Sequence, residues 1–324
     1  MYGAGGIGSV LGGLLARANH DVTFLGREWH LHAIRRDGLR ISGLWGEHRI
    51  TGVTLTTQHD QLPSAVPFDW IFVCVKAHQT AEVAEAVATL VGPSTLVCGF
   101  QNGLGNYEAL TALIPAERVA LARVIFGVEL EPGHAHVTVS GGDVLIGAPD
   151  HRLSPTRLTG LIAALQTAGI PTQPTSNIFT ALWGKVLYNC ALNGLSTLLE
   201  VPYGALADHP IAPRLIQSVI TEVYQVAAAR RLTLEPADAA GYLHLLFSRL
   251  IPATAAHRAS MLQDIRRGHR TEINALNGAI VALGHQVGVP TPINALVTRL
   301  VHHKERFSSA GRPSERLSLI PPVR

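Results

Sequence analysis

The pattern of the chain changes once, near residue 175, and that change restricts the fold more than any other feature. Before it, short apolar runs alternate with helical stretches; after it only helical patterns remain. VTFL (22–25), WIFVCV (70–75) and TLVCGF (95–100) are rich in β-branched and aromatic residues, as strands covered on both faces are. Between them, TAEVAEAVATLVG (80–92) carries apolar residues at helical spacing and closes on glycine. Strand–helix alternation implies a doubly wound parallel sheet, here an α/β domain over residues 1–175 that ends in the turn-rich GIPTQPTSN (169–177). AHVTVSGGDVLIG (135–147) alternates around a Gly-Gly pair and predicts a hairpin at the edge or end of the sheet. From Ser176 the periodicity predicts helices over 177–199, 210–231, 236–249, 254–267, 271–287 and 292–305, making 176–324 an all-α domain. The final stretch, SSAGRPSERLSLIPPVR, is expected to be loose at its end. At 47% apolar and 15% charged residues, the chain has enough apolar material to bury a sizeable core.

The chain opens MYGAGGIGSV, in which Gly3, Gly5 and Gly8 form G-x-G-x-x-G. The first glycine permits a tight turn, the second a close approach to a pyrophosphate, and the third close packing of helix on strand. Ala4, Gly6 and Ile7 complete the loop, and a helix over about 8–19 would aim its N-terminal amides at the phosphates. A bare turn is the alternative, because three glycines at this spacing are weak evidence alone. Only Met1 and Tyr2 precede the loop, so the central strand of such a sheet is truncated; the natural start is expected several residues upstream. After VTFL come Gly26, Arg27 and Glu28. Arg27 stands where an acid would bind the ribose of NAD, and a guanidinium there suits the 2′-phosphate of NADP. Glu28, one step on, leaves NAD open, and a plain surface charge is the bland alternative for Arg27.

In FTALWGKVLYNCALNGLSTLLE (179–200), Lys185, Asn189 and Asn193 recur every four residues and share one helix face. Apolar flanks on both sides suit a wet cleft, with a solvated stripe as the alternative. In SMLQDIRRGHRTEIN (260–274), Ser260 and Asp264 share a face, Gly268 interrupts the helix and Glu272 opens the next one. Arg266, Arg267 and Arg270 read as a solvated face. Lys76 in FVCVKAHQT and Asn102 in CGFQNGLGN follow parallel strands, where open α/β sheets bind ligands; a plain turn is the alternative at Asn102. His134 and His136 receive no role, and the histidines show no metal-ligand spacing, so no metal is expected.

Net charge is +3, which gives no argument for a nucleic-acid partner. No apolar run reaches the ~18 residues of a membrane span. Three scattered cysteines, Cys74, Cys98 and Cys190, make a disulfide framework improbable and fit a reducing cytoplasm.

Taken together, GAGGIGSVLG, LGR, VKAHQT, QNGLGNYE, LWGKVLYNCALNGLSTLL and SMLQDIRRGHRTEIN resemble the ketopantoate reductase (2-dehydropantoate 2-reductase) family over nearly the whole chain. The resemblance implies a Rossmann-type domain followed by a helical domain, an active site between them, and NADPH-dependent reduction of ketopantoate to pantoate in pantothenate biosynthesis. It implies that the loop Gly3–Gly8 and Arg27 bind NADP(H), that Lys76 and Asn102 line the cofactor side with Asn102 near the nicotinamide, and that Lys185 donates the proton. It implies further that Asn189, Asn193 and Ser260 hold the substrate and that Glu272 contacts the cofactor ribose and helps order the catalytic site. A homodimer is left open. The chain departs from relatives at Val201, where they often carry cysteine before the proline, with Tyr203 following near the expected cleft. Another branched 2-keto acid therefore stays open as substrate. A non-catalytic nucleotide sensor on the same fold would be expected to lose the lysine or the glutamate, and both are present.

Overall fold

A computed structural model describes residues 1–62, 68–149, 153 and 155–309. The last fifteen positions, where a loose end is expected, lie outside the described residues. Two compact units emerge, Met1–Trp183 and Gly184–Arg324.

In the first unit the elements run α1 (Gly6–Arg17), β1 (Thr23–Leu25), α2 (Glu28–Asp37), β2 (Leu39–Gly43), β3 (His48–Ile50), β4 (Thr54–Thr56), β5 (Trp70–Val73), α3 (Thr80–Ala88), β6 (Leu96–Gly99), α4 (Asn106–Thr111) and β7 (Val119–Arg123). β8 (Phe126–Glu131), β9 (His134–Ser140), β10 (Val144–Gly147), α5 (Pro155–Thr167), β11 (Thr172–Pro174) and the start of α6 (Ile178–Leu199) complete it. β5, β6 and β7 pair in parallel, and β1 pairs in parallel with β4. Tyr2 joins the two sets by bridging Leu25 on one side and Val73 on the other, both in parallel. The amide of Tyr2 donates to the Phe72 carbonyl at 2.7 Å, and that of Leu25 to the Met1 carbonyl at 3.0 Å. Met1 and Tyr2 thus occupy the central slot of the sheet. The glycines that follow allow α1 to lie against it: a Cβ on Gly12 would stand 2.6 Å from the Phe24 ring. Val10, Leu11, Leu14 and Leu15 of α1 pack into one core with Phe24, Ile41 and Phe72.

The expected hairpin at 135–147 does not form. β9 pairs with β8 and β2 in a separate four-stranded sheet of order β3-β2-β9-β8, whereas β10 pairs with β7 and β11 in the main sheet. The hairpin actually lies one element earlier, β8 to β9, turning at Pro132-Gly133, with Gly133 at a φ of +70°. Gly141 and Gly142 instead carry the chain from one sheet to the other. Gly142 has a φ of +129°, and the amide of Gly141 is held by the Ile125 carbonyl at 2.8 Å. Three of the four residues of β10 are buried, as in a covered strand rather than a solvated hairpin arm.

The second unit contains the rest of α6, then α7 (Tyr203–Ala207), α8 (Ala212–Ala229), α9 (Ala239–Leu245), α10 (Ile251–Ala253), α11 (Ser260–Arg266), α12 (Asn277–Gln286) and α13 (Pro292–Ser309). A π turn over Leu246–Leu250 joins α9 to α10. The helix expected over 254–267 is confined to its second half. The carbonyls of Ala255 and His257 accept the amides of Gly204 and Tyr203, at 2.9 and 3.0 Å, and so are withdrawn from helical pairing. Buried polar groups lock the bundle. Glu222 on α8 accepts the amides of Ile293 and Asn294 at the start of α13, at 2.8 and 2.9 Å, and the Asn294 side-chain amide at 2.7 Å. Asn294 in turn accepts from Asn277, whose side chain also donates to the Cys190 carbonyl. No helix among the described residues is long and apolar enough to cross a membrane.

Candidate active site

In the first unit the predicted cofactor residues converge on one edge of the sheet. The strands β1, the Tyr2 stub, β5 and β6 run in the same direction. Arg27, the loop Gly3–Gly8, Lys76 and Asn102 follow their carboxyl ends in that spatial order. Three inter-strand steps of about 4.8 Å set these positions across roughly 14 Å, a span on the scale of a dinucleotide.

The loop has the features of a pyrophosphate cradle. Gly3 has a φ of +107°, and a Cβ there would meet the Cys74 and Val75 backbone at 2.9 Å. A Cβ on Gly8 would lie 2.1 Å from the Gly3 carbonyl oxygen, whereas one on Gly5 would meet nothing within 4 Å. Gly5 caps α1 without a side-chain bond, and the first turn contains no acidic residue. The amides of Gly3 and Ala4 are taken by the Leu25 carbonyl, and the helical ladder starts at Ser9 donating to Gly5 at 2.8 Å. The amides of Gly5, Gly6, Ile7 and Gly8 are thereby left for a ligand, at the positive end of a 12-residue helix. Behind the loop, His30 is buried and its Nε2 stands 2.9 Å from Ser9 Oγ. Its Nδ1 stands 3.1 Å from the Gly133 amide nitrogen and 3.2 Å from the Glu131 carbonyl oxygen, so both ring nitrogens are engaged. Burial lowers the His30 pKa below its ordinary value.

Arg27 is exposed beyond β1. Glu28 is engaged along its own helix by Arg35 at 3.2 Å and by His32 at 3.9 Å. Of these two exposed side chains at the strand end, Glu28 is the one engaged by neighbouring side chains.

Lys76 and Asn102 are half-buried. Asn102 sits in a loop that is held from behind, a feature sequence reasoning missed. The Asn106 side-chain amide donates to the carbonyls of Asn102 and Gly103, at 3.1 and 3.3 Å. Thr80 Oγ1 donates to Asn106 Oδ1 at 2.8 Å and accepts from Gln101 Nε2 at 3.1 Å. Gly103 and Gly105, with φ of +86° and +89°, make the turn that brings these groups together. The available signal was a second asparagine, four residues after Asn102 and just inside a helix.

In the second unit, Lys185 and Asn189 are half-buried along α6 and Asn193 is buried. Asn193 meets the start of α11 directly. Its Nδ2 donates to Ser260 Oγ at 3.3 Å, and its Oδ1 accepts the Met261 amide at 3.4 Å. Asp264 is buried on α11, and Glu272 is buried as the cap of a 3₁₀ turn over Ile273–Ala275, after Gly268 breaks the helix at a φ of +68°. Tyr203, expected near the cleft, is a core residue at 1% exposure, edge-on to Tyr188 and His257. Burial pushes the Cys74 thiol up to about 12 and raises Cys98 and Cys190 as well. Among the described residues no group of three or more His, Cys, Asp or Glu is arranged to hold a metal ion.

Comparison with known proteins bears on the whole chain. The family described as "Ketopantoate reductase PanE/ApbA" matches residues 1–151, and its C-terminal counterpart matches 177–305. The 2-dehydropantoate 2-reductase of Aquifex aeolicus is 38% identical over 311 residues, 95% of this chain and 97% of that protein. The crystal structure of a PanE/ApbA family ketopantoate reductase from Ralstonia eutropha JMP134 superposes with a TM-score of 0.83 at 32% identity, covering 94% of this chain and 97% of that one. A ternary complex of D-mandelate dehydrogenase with NADH and anilino(oxo)acetate has the same TM-score at 26% identity and the same coverage. With both halves matched and the identity sustained from end to end, the chain belongs to the ketopantoate reductase family.

Proposed function

We propose that the chain reduces 2-dehydropantoate to pantoate with NADPH. The observation that carries this is the polar face of α6: a lysine and two asparagines in line, with Asn193 already joined to Ser260, in a chain 38% identical to a 2-dehydropantoate 2-reductase. The four ligand-free amides of Gly5–Gly8 fit a pyrophosphate. Exposed Arg27 beside an engaged Glu28 favours the 2′-phosphate of NADP over the bare ribose of NAD.

When bound, the cofactor supplies a hydride to the keto carbon. The protein's part is to orient the keto acid and to manage charge on its oxygen. In this assignment the Lys185 ammonium, with a reference pKa of ~10.4, faces that oxygen as negative charge develops and then transfers a proton to it. Asn189, Asn193 and Ser260 hold the carboxylate and hydroxyl groups, using donors that do not ionise. Lys76 and Asn102 steady the cofactor, Asn102 from its Asn106-held loop and on the nicotinamide side, and Glu272 engages the ribose and orders the site. A cytoplasmic location and a homodimer belong to the same reading; fractionation and sedimentation check them.

A second substrate class has a specific observation behind it: a neighbour of equal TM-score is named as D-mandelate dehydrogenase and was solved with NADH. Steady-state rates with a panel of 2-keto acids, each with NADPH and NADH, separate the readings. The expected result is the highest kcat/KM for 2-dehydropantoate with NADPH, and Arg27→Ala raising KM for NADPH at least tenfold with little change for NADH. A preference for aryl 2-keto acids with NADH would overturn it.

A further inference from the structure

The second unit contains a hollow of about 560 Å³ between the segment around residues 270–274 and α13. None of the residues assigned above to cofactor or substrate lines it. Three arginines, Arg270, Arg299 and Arg306, line it together with Asn274, His302 and His303. Glu305 is the one carboxylate on the lining, and both its oxygens are engaged locally. Oε1 accepts the Thr271 amide at 2.7 Å, and Oε2 pairs with His302 Nδ1 at 2.9 Å. His302 Nε2 bonds Asn274 Oδ1 at 2.8 Å, so this part of the lining is tied together by hydrogen bonds.

The charge around the hollow is only partly balanced elsewhere. Between residues 266 and 306 there are six Lys and Arg against two Glu, in a chain whose total is only +3. Two neighbouring cations outside the hollow, Arg266 and Lys304, both pair with Glu200, at 3.1 and 2.7 Å. Arg270 and Arg299 have no hydrogen bond or ion pair with any described residue. Two exposed guanidinium groups that share one lining and have no partner among the described residues can take an oxyanion in paired, charge-assisted bonds.

We propose that this hollow is a second ligand site, for a small molecule bearing two or more phosphate or carboxylate groups. Isothermal titration of the full chain, with the glycine loop occupied by saturating NADP⁺, tests it. The probes are inorganic pyrophosphate and citrate, against sodium chloride at matched ionic strength. One equivalent of pyrophosphate or citrate should bind, and at least tenfold more weakly in the double variant Arg270→Ala, Arg299→Ala. The preferred probe tells a phosphorylated from a polycarboxylate ligand. Both substitutions are at exposed positions, and an unchanged melting temperature verifies the fold. No heat above the chloride control with either probe, or equal affinity in the double variant, would overturn the proposal. Failure of the cofactor assignment would register separately, as absence of NADP⁺ binding before either probe is added.

Discussion

The glycine loop separates folding from function within four residues. At Gly8, an added methyl would lie 2.1 Å from the Gly3 carbonyl oxygen and 3.2 Å from Cys74 Cβ, so Gly8→Ala must displace α1 from the sheet. Overpacking of this kind costs about 1–3 kcal/mol. At about 2–4 °C per kcal/mol for a domain of this size, melting should fall by roughly 2–12 °C. At Gly5 the same methyl meets nothing within 4 Å, and the φ of −85° is open to any residue. Losing glycine as a cap costs some tenths of a kcal/mol, and the stiffer unfolded chain returns a similar amount. Gly5→Ala should therefore melt within about 2 °C of the parent. On the proposed assignment, however, the methyl would occupy space that a pyrophosphate needs to reach the free amides. Weakening one or two bonds to a charged group, worth about 1.5–3 kcal/mol each, corresponds to at least a tenfold loss of affinity. Scanning calorimetry and NADPH titration of both variants check this. A Gly5→Ala protein that binds NADPH normally would refute the cradle, and a Gly8→Ala protein that melts normally would refute the packing.

Two further expectations follow from buried polar groups. His30 is held neutral by burial, with its pKa lowered, so the unfolded chain binds more protons through this group. Its contribution to stability is complete above about pH 6.5 and declines as pH falls towards the folded value; His30→Gln should flatten the pH dependence of urea unfolding between about pH 7 and 5, and an unchanged slope would contradict it. Glu222 receives three donors from the start of α13. Glu222→Ala strands them in the core and should cost about 3–5 kcal/mol in urea unfolding, whereas a loss under 1 kcal/mol would show that α13 does not depend on this cap.

Much of the architecture was legible because it depends on local periodicity. β1, β5 and β6 stand where VTFL, WIFVCV and TLVCGF put them, and the second half is helical as its spacing requires. What was not legible depends on distant partners. Alternation across 135–147 marks two strands but not that each joins a different sheet, which Gly142 at positive φ and the Gly141–Ile125 bond decide. Residues 254–259 have helical composition, yet their carbonyls are claimed by the amides that start α7. In the site, recurrence every four residues picked out Asn193, and the bond to Ser260 could be anticipated only through resemblance. The Asn106–Thr80–Gln101 support of Asn102 had no periodic signal, because its members come from three different elements.

The central claim is that the α6 lysine delivers the proton, and one kinetic comparison tests it most directly. Turnover and NADPH dissociation constants are measured for the parent and for Lys185→Ala with 2-dehydropantoate. A kcat at least ~10²-fold lower, the lower end for general acid catalysis, with NADPH affinity within about twofold, is the predicted result. Turnover close to that of the parent would contradict the assignment of Lys185.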